Sequence, residues 1–183
     1  MKSLYVDFDE DKIISNLEDV VPLFPLGNMV FFPNTVIPLH IFEERYKQMI
    51  DDSVSSHNLI CMTLMQDDMK DDDLAISKIG CVGRIISNEE GEEGKKNIIL
   101  YGITRIHIDE IIYSKPYRQA KINIIKSKKT IDNDPLYKRI TDLVGEWNLL
   151  LEDYNDNYKI KVDQSSTLSK LTDSLSSIIV SSP

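Results

Sequence analysis

Pro22, Pro25, Pro33 and Pro38 fall within seventeen residues of the hydrophobic stretch VPLFPLGNMVFFPNTVIPLHIFEERYKQMI, residues 21–50. Each proline fixes φ and removes a backbone donor, so this segment is barred from helix and must run as extended chain and turn. Residues 29–32 read as a strand that ends at Pro33-Asn34, a turn in which Asn34 takes positive φ at small cost. Pro38-Leu39-His40 then delivers the chain to a helix running from Ile41 to about Val54. Phe42, Tyr46, Met49, Ile50 and Val54 share one face of it, and Glu43 and Glu44 sit where the N-terminal dipole favours acids.

Beyond this corner the apolar runs are short: 59–65, 79–86, 98–103, 106–112 and 120–125. Ile106 and Ile108 oppose Arg105, His107 and Asp109, and Ala120, Ile122 and Ile124 oppose Gln119, Lys121 and Asn123. Period two predicts half-buried antiparallel strands. The acidic stretch 66–73, the Gly91/Gly94 stretch 88–96 and Lys115-Pro116 supply the turns, and six such strands predict a small barrel or sandwich. Near residue 130 the period becomes helical. Asp134 is placed to cap a helix with Pro135 at its first position, followed by the stripe Leu136, Ile140, Leu143, Trp147, Leu150 and Tyr154. A second stripe, Leu168, Leu171, Leu175, Ile178 and Ile179, is entered through Ser165 and Ser166. The expected organisation is an extension over 1–19, a β domain over 20–128 and a helical subdomain over 129–183. The closing Ser-Ser-Pro resembles a helix start, so the helical layer is expected to be cut short there.

With 30 acids against 21 Lys and Arg the formal charge is −9, which repels polyphosphate and disfavours nucleic acid as partner. The exception is 115–129, where Lys115, Arg118, Lys121, Lys126, Lys128 and Lys129 stand without an acid; the simplest expectation is that this stretch lies beside the acidic helix after it. Cys61 and Cys81 sit in apolar settings and read as small buried hydrophobes, and two thiols with three scattered histidines make no metal site. No apolar run reaches the ~20 residues of a membrane-spanning helix, and the first twenty residues lack a signal-peptide core, so a cytoplasmic protein is expected.

Enzymatic motifs fail on spacing. Gly91-Glu92-Glu93-Gly94-Lys95-Lys96 imitates a Walker A loop but has two spacers rather than four, no hydroxyl, and two acids where phosphate would sit. Ser169 and Lys170 are adjacent on a helix, so their side chains diverge and form no catalytic pair. Asp7, Asp9, Asp11 and Glu18 share EF-hand offsets, but Lys12 replaces the turn glycine. The 67–73 acids lack the closing Glu as well. No cofactor is expected.

The 21–50 segment resembles the start of the Lon protease N-terminal domain, the substrate-binding LON domain of the PUA-like superfamily. Pro25-Leu26, Val30-Phe31-Phe32-Pro33, Pro38-Leu39-His40-Ile41-Phe42-Glu43 and Arg45-Tyr46 carry the match. Further blocks follow in family order: Ile79-Gly80-Cys81-Val82-Gly83-Arg84-Ile85, Leu100-Tyr101-Gly102-Ile103-Thr104-Arg105-Ile106 and Pro116-Tyr117-Arg118-Gln119-Ala120. Asn34 stands where the family has Gly, and Glu44 where it often has Pro. The resemblance implies an α+β fold, a PUA-like antiparallel β pseudo-barrel with one inserted helix and a C-terminal helical layer. It also implies a non-enzymatic, stand-alone module that binds exposed apolar or unfolded polypeptide. Candidate binding residues are Phe31, Phe32, Pro38, His40, Phe42, Arg45 and Tyr46 at the corner, edged by Arg84 and Arg105. The alternative functions are an adaptor that docks one folded partner such as a protease through the acidic helix, or a small-molecule or RNA module using the 115–129 stripe.

Overall fold

The computed structural model describes residues 8–27, 29–65, 76–126, 135–151, 159–163 and 166–181. Six strands form one sheet: β1 Val20–Gly27, β2 Val36–Ile41, β3 Leu59–Met65, β4 Ile76–Glu90, β5 Lys96–Ile112 and β6 Gln119–Ile124. The order is β2-β5-β4-β3-β1-β6, and β6 pairs back onto β5, so five strands close a ring with β2 attached outside it. Every pairing is antiparallel except β1 with β3. Closure leaves the ring without open sheet edges along most of its length.

The run LICMTLM in β3 is apolar but for Thr63, because both its faces are buried, and the Thr63 hydroxyl donates to the Ser77 carbonyl at 2.7 Å. Leu59 and Cys61 point into a core shared by all five ring strands, with Leu23, Val82, Ile106, Ile108, Ala120 and Ile122. Ile60 and Met62 point the other way, into a second core with Leu39, Ile41, Leu100 and the helix residues Tyr46, Met49 and Ile50. That helix is α2, Glu44–Val54. Met49 and Ile50 are fully buried, each contributing roughly 1.5–3 kcal/mol. The Lys115 ammonium and the Tyr117 hydroxyl both donate to Asp52 on α2, at 2.8 and 2.7 Å, and tie the helix to the chain leading into β6. These two bonds, Lys115 first, hold the Asp52 carboxyl below its usual range. The tie is therefore present at neutral pH and fades as pH falls through that lowered value.

β5 carries most of the topology. One edge runs along β4, while the other is shared between β2, at residues 96–101, and β6, at 106–112. In the gap between them the turn at 32–35 docks. Asn34 N–H donates to the Gly102 carbonyl at 2.8 Å, Gly102 N–H donates to the Thr35 carbonyl at 2.9 Å, and the Thr35 hydroxyl donates to the Phe32 carbonyl at 2.6 Å. A Cβ on Gly102 would lie 2.2 Å from the Phe32 oxygen, so glycine is required by proximity. Gly83 does the same for the Phe31 ring, whose Cε1 would lie 2.7 Å from a Cβ there. Asn34 adopts φ 59°, as its side chain permits.

The helical layer is lighter. α1, Glu10–Ser15, is capped by the Asp9 carboxylate, which accepts from Lys12 N–H at 3.0 Å. α3, Pro135–Leu150, buries Val144 alone. α4, Leu168–Ser181, is held by Leu171 and by Asp173, which is 1% exposed. Asp173 accepts from Arg105 on β5 and from the Asn34 side-chain amide at 3.1 Å. One carboxylate thus joins α4, the 32–35 turn and the midpoint of β5.

Several expectations change. Residues 29–32 are not a strand: Phe31 plugs the core over Gly83, and the strands flank it as β1 and β2, prolines included. The runs 98–103 and 106–112 are one seventeen-residue strand. The helix begins at Glu44 rather than Ile41, which leaves Phe42 outside it and 66% exposed. Ile124 is more than a third exposed, and the α3 stripe faces largely outward rather than into a core. Lys115 pairs with α2, not with the helix after the basic stretch. The Asp134 cap, Ser165, Asp7, Tyr154, Lys128, Lys129 and the 66–73 acidic stretch lie outside the described residues.

Gly102→Ala is expected to cost about 2 kcal/mol or more, read as a lower urea midpoint. Arg105→Ala leaves a buried carboxylate without its cation and is expected to cost about 3 kcal/mol. Asp173→Ala should cost less, because the Arg105 side chain is 34% exposed and can reach water. In both, hydrogen exchange should show α4 amides losing protection ahead of the barrel.

Candidate functional site

Where the ends of β1, β2 and β3 meet the start of α2, the surface opens into a groove of about 210 Å³. Phe24, Pro25, Leu26 and Gly27 of β1 form one wall, and His40, Ile41, Phe42, Glu43, Arg45 and Tyr46 form the other, with Met65 at one end. Pro22 is the last β1 residue paired with β6, so Phe24–Gly27 is bonded to β3 on one side only. Likewise β2, the terminal strand, pairs with β5 alone. An apolar trough therefore lies beside two strand segments with an edge that no described strand occupies.

The groove floor is fixed by packing. Tyr46 is buried with its ring edge-on to Phe24, centroids 4.6 Å apart. Burial raises the Tyr46 phenol above its usual value, partly countered by the Arg45 charge, so the ring is neutral at physiological pH. Arg45 stacks over Tyr46 at 4.6 Å and pairs with Glu43 at 2.7 Å, which neutralises both charges at the rim. Phe42 stands at the lip between β2 and α2. His40 is exposed, its Nδ1 2.6 Å from the Asn97 side-chain oxygen on β5.

Of the sequence candidates, the structure brings together His40, Phe42, Arg45 and Tyr46. Phe31 is buried in the core and Phe32 is half-buried in the turn, away from the groove lining. Pro38 is exposed on β2. Arg84 lies over the Phe8 ring at 5.1 Å, and Phe8 in turn meets Tyr101 edge-on at 5.3 Å. Glu10 accepts from the Tyr101 hydroxyl at 2.8 Å, so Arg84 serves the contact of the amino-terminal segment with the barrel. Arg105 holds α4 and lines a different cavity, of about 410 Å³, between α4 and the barrel. The candidate residues named from the sequence did not include Phe24, Leu26, Gly27 or Met65; the Pro25-Leu26 block was the available signal, but nothing local shows that this extended segment borders the same groove as Phe42 and Tyr46.

Among the described residues no group of three or more His, Cys, Asp or Glu is placed to hold a metal ion. Burial pushes the Cys81 thiol up to about 12 and Cys61 higher still, so both stay protonated and unreactive. Among the described residues no helix is long and apolar enough to cross a membrane.

Comparison with known proteins gives one consistent result. Residues 20–183 match the model of the ATP-dependent protease La (LON) substrate-binding domain. The Lon protease of Flavobacterium johnsoniae is 32% identical over 145 residues, 75% of this chain and 17% of that protein. The Lon protease of Dictyoglomus thermophilum is 26% identical over 150 residues, 79% of this chain and 19% of that protein. The chain thus spans less than a fifth of the length of these relatives. Among solved structures, a Lon N-terminal domain protein from Xanthomonas campestris superposes with a TM-score of 0.59 at 17% identity, covering 90% of this chain and 99% of that one. The N-terminal domain of Mycobacterium avium complex Lon protease gives 0.54 at 15% identity, over 89% and 90%. This chain belongs to the LON substrate-binding domain family.

Proposed function

We propose that this chain is a non-enzymatic recognition module of the cytoplasm that captures exposed apolar segments of unfolded polypeptide in the groove between β1 and α2. The observation that carries the reading is an apolar trough with Phe42 presented at its lip, alongside edges at Phe24–Gly27 and along β2 that no described strand occupies. At about 210 Å³ the groove is smaller than the roughly 300–1,000 Å³ of a small-molecule site, and suits a large side chain of a longer ligand. An extended peptide would take backbone bonds from a strand edge and place alternate side chains against Phe42, Tyr46 and Met65. Pairing of Glu43 with Arg45 leaves no net charge at that rim, consistent with selection by hydrophobicity. Membership of a substrate-binding family supports a role in substrate recognition, and because the match is to that domain it fits binding without turnover. The two buried free thiols fit a reducing compartment.

The test is binding of fluorescein-labelled, reduced and carboxymethylated α-lactalbumin, a permanently unfolded probe, to the wild type and to Phe42→Asp. Because Phe42 is mostly exposed, the variant should melt with the wild type while affinity falls about tenfold or more. Unchanged affinity, or probe-induced amide shifts confined to residues outside 24–27 and 40–46, would remove the groove from consideration.

A further inference from the structure

Leu136, Ile140, Leu143, Trp147 and Leu150 follow one another along α3 at alternating intervals of four and three, the heptad spacing of a two-helix seam. In the structure Ile140 is half-buried and the rest of this seam stays outside the chain's own core. Leu143 is 54%, Trp147 51% and Leu150 77% exposed, while Val144, on the flank of the seam, is the residue that docks α3. The segment 159–163 returns along α3 through Asn148, whose side chain exchanges two 2.8 Å bonds with the Ile160 backbone, and still leaves these residues open. Scattered exposed leucines need no explanation, but a heptad row with a tryptophan in it does.

We infer that α3 is a self-association surface, and that its partner is the α3 of a second copy of this chain, packed antiparallel. The direction follows from charge. Reading Leu136, Leu143 and Leu150 as d positions and Ile140 and Trp147 as a positions places Arg139 and Glu146, both exposed, at successive g positions. A parallel pair would set them against Val144 and Leu151, which offer no charge. An antiparallel pair sets Arg139 of each copy beside Glu146 of the other, twice across one two-fold axis, while Trp147 packs over Leu136 and Ile140 over Leu143 of the opposite copy. The surface is thus complementary to itself in shape and in charge, which is what a closed, isologous dimer requires. Sixteen residues give a seam of about 24 Å, enough for a concentration-dependent dimer rather than a permanent one.

Sedimentation velocity of the full chain between roughly 1 and 200 µM is the test, with fluorescence of Trp147, the sole tryptophan, as a local reporter. A monomer–dimer equilibrium is expected, with the emission moving to shorter wavelength as the dimer forms. Leu143→Glu should stay monomeric with an unaltered circular dichroism spectrum. Arg139→Glu should weaken association about tenfold, and combining it with Glu146→Arg should restore it. A monomer across the whole range, a dimer that survives Leu143→Glu, or a charge reversal without effect or rescue would overturn the inference.

Discussion

The gap on one edge of β5, between the end of its pairing with β2 and the start of its pairing with β6, is the place from which the rest of the molecule is arranged. A strand that changes partners midway leaves a few backbone groups to be satisfied by something other than a strand, and buried backbone groups cannot be left unpaired. Here the 32–35 turn and Ile125 N–H, which donates to the Arg105 carbonyl at 2.9 Å, meet that need. Gly102 allows the turn to approach, Asn34 bends it, and Arg105 extends from the same gap to the buried Asp173 of α4. The sequence block Leu100–Ile106 therefore contains a glycine and an arginine for two separate packing reasons, neither of which involves a ligand.

The groove is a by-product of the same arrangement. With β2 hung outside the closed ring and α2 laid across the second core, the chain between them must turn at Phe42-Glu43, where no layer covers it. Tyr46 and Phe24 then seal the floor, and the ends of β1 and β2, whose outer edges no described strand occupies, form the sides. Strands and a helix form most of the candidate surface, and the turn that carries Phe42 is only two residues long between β2 and α2, which favours a preformed site over one assembled on contact.

How much of this was legible in the sequence depended on distance along the chain. The short apolar run 59–65 gave the β3 bounds outright, and local alternation gave the inward set at 106–108 of β5 and most of β6, because period two is fixed by the pleat. The positive φ of Asn34 was likewise readable from side-chain chemistry and its neighbouring proline. Proline arithmetic gave extended chain at β1 without its pairing: Pro22 and Pro25 occupy a strand that β6 meets only at residues 20–22, where a missing donor costs little. Phe31 and Phe32 looked like strand residues because nothing local reveals that Gly83, fifty-two residues later, opens a slot for one of those rings. Arg105 looked like a rim charge for the same reason: its acid is 68 residues away. The α3 stripe was visible as a stripe, but which way it faces is decided by the remainder of the fold.

Pro38 on β2 has a consequence for solution behaviour. Opposite Ile99 its nitrogen must face away from β5, so the bare side of the terminal strand lacks an amide at its middle. An identical neighbour trying to extend the sheet there would meet a break in the ladder after a few residues, which discourages endless stacking into fibrils. A short guest needs only a fragment of that border, so the same imino acid that guards against polymerisation leaves room for a brief visitor.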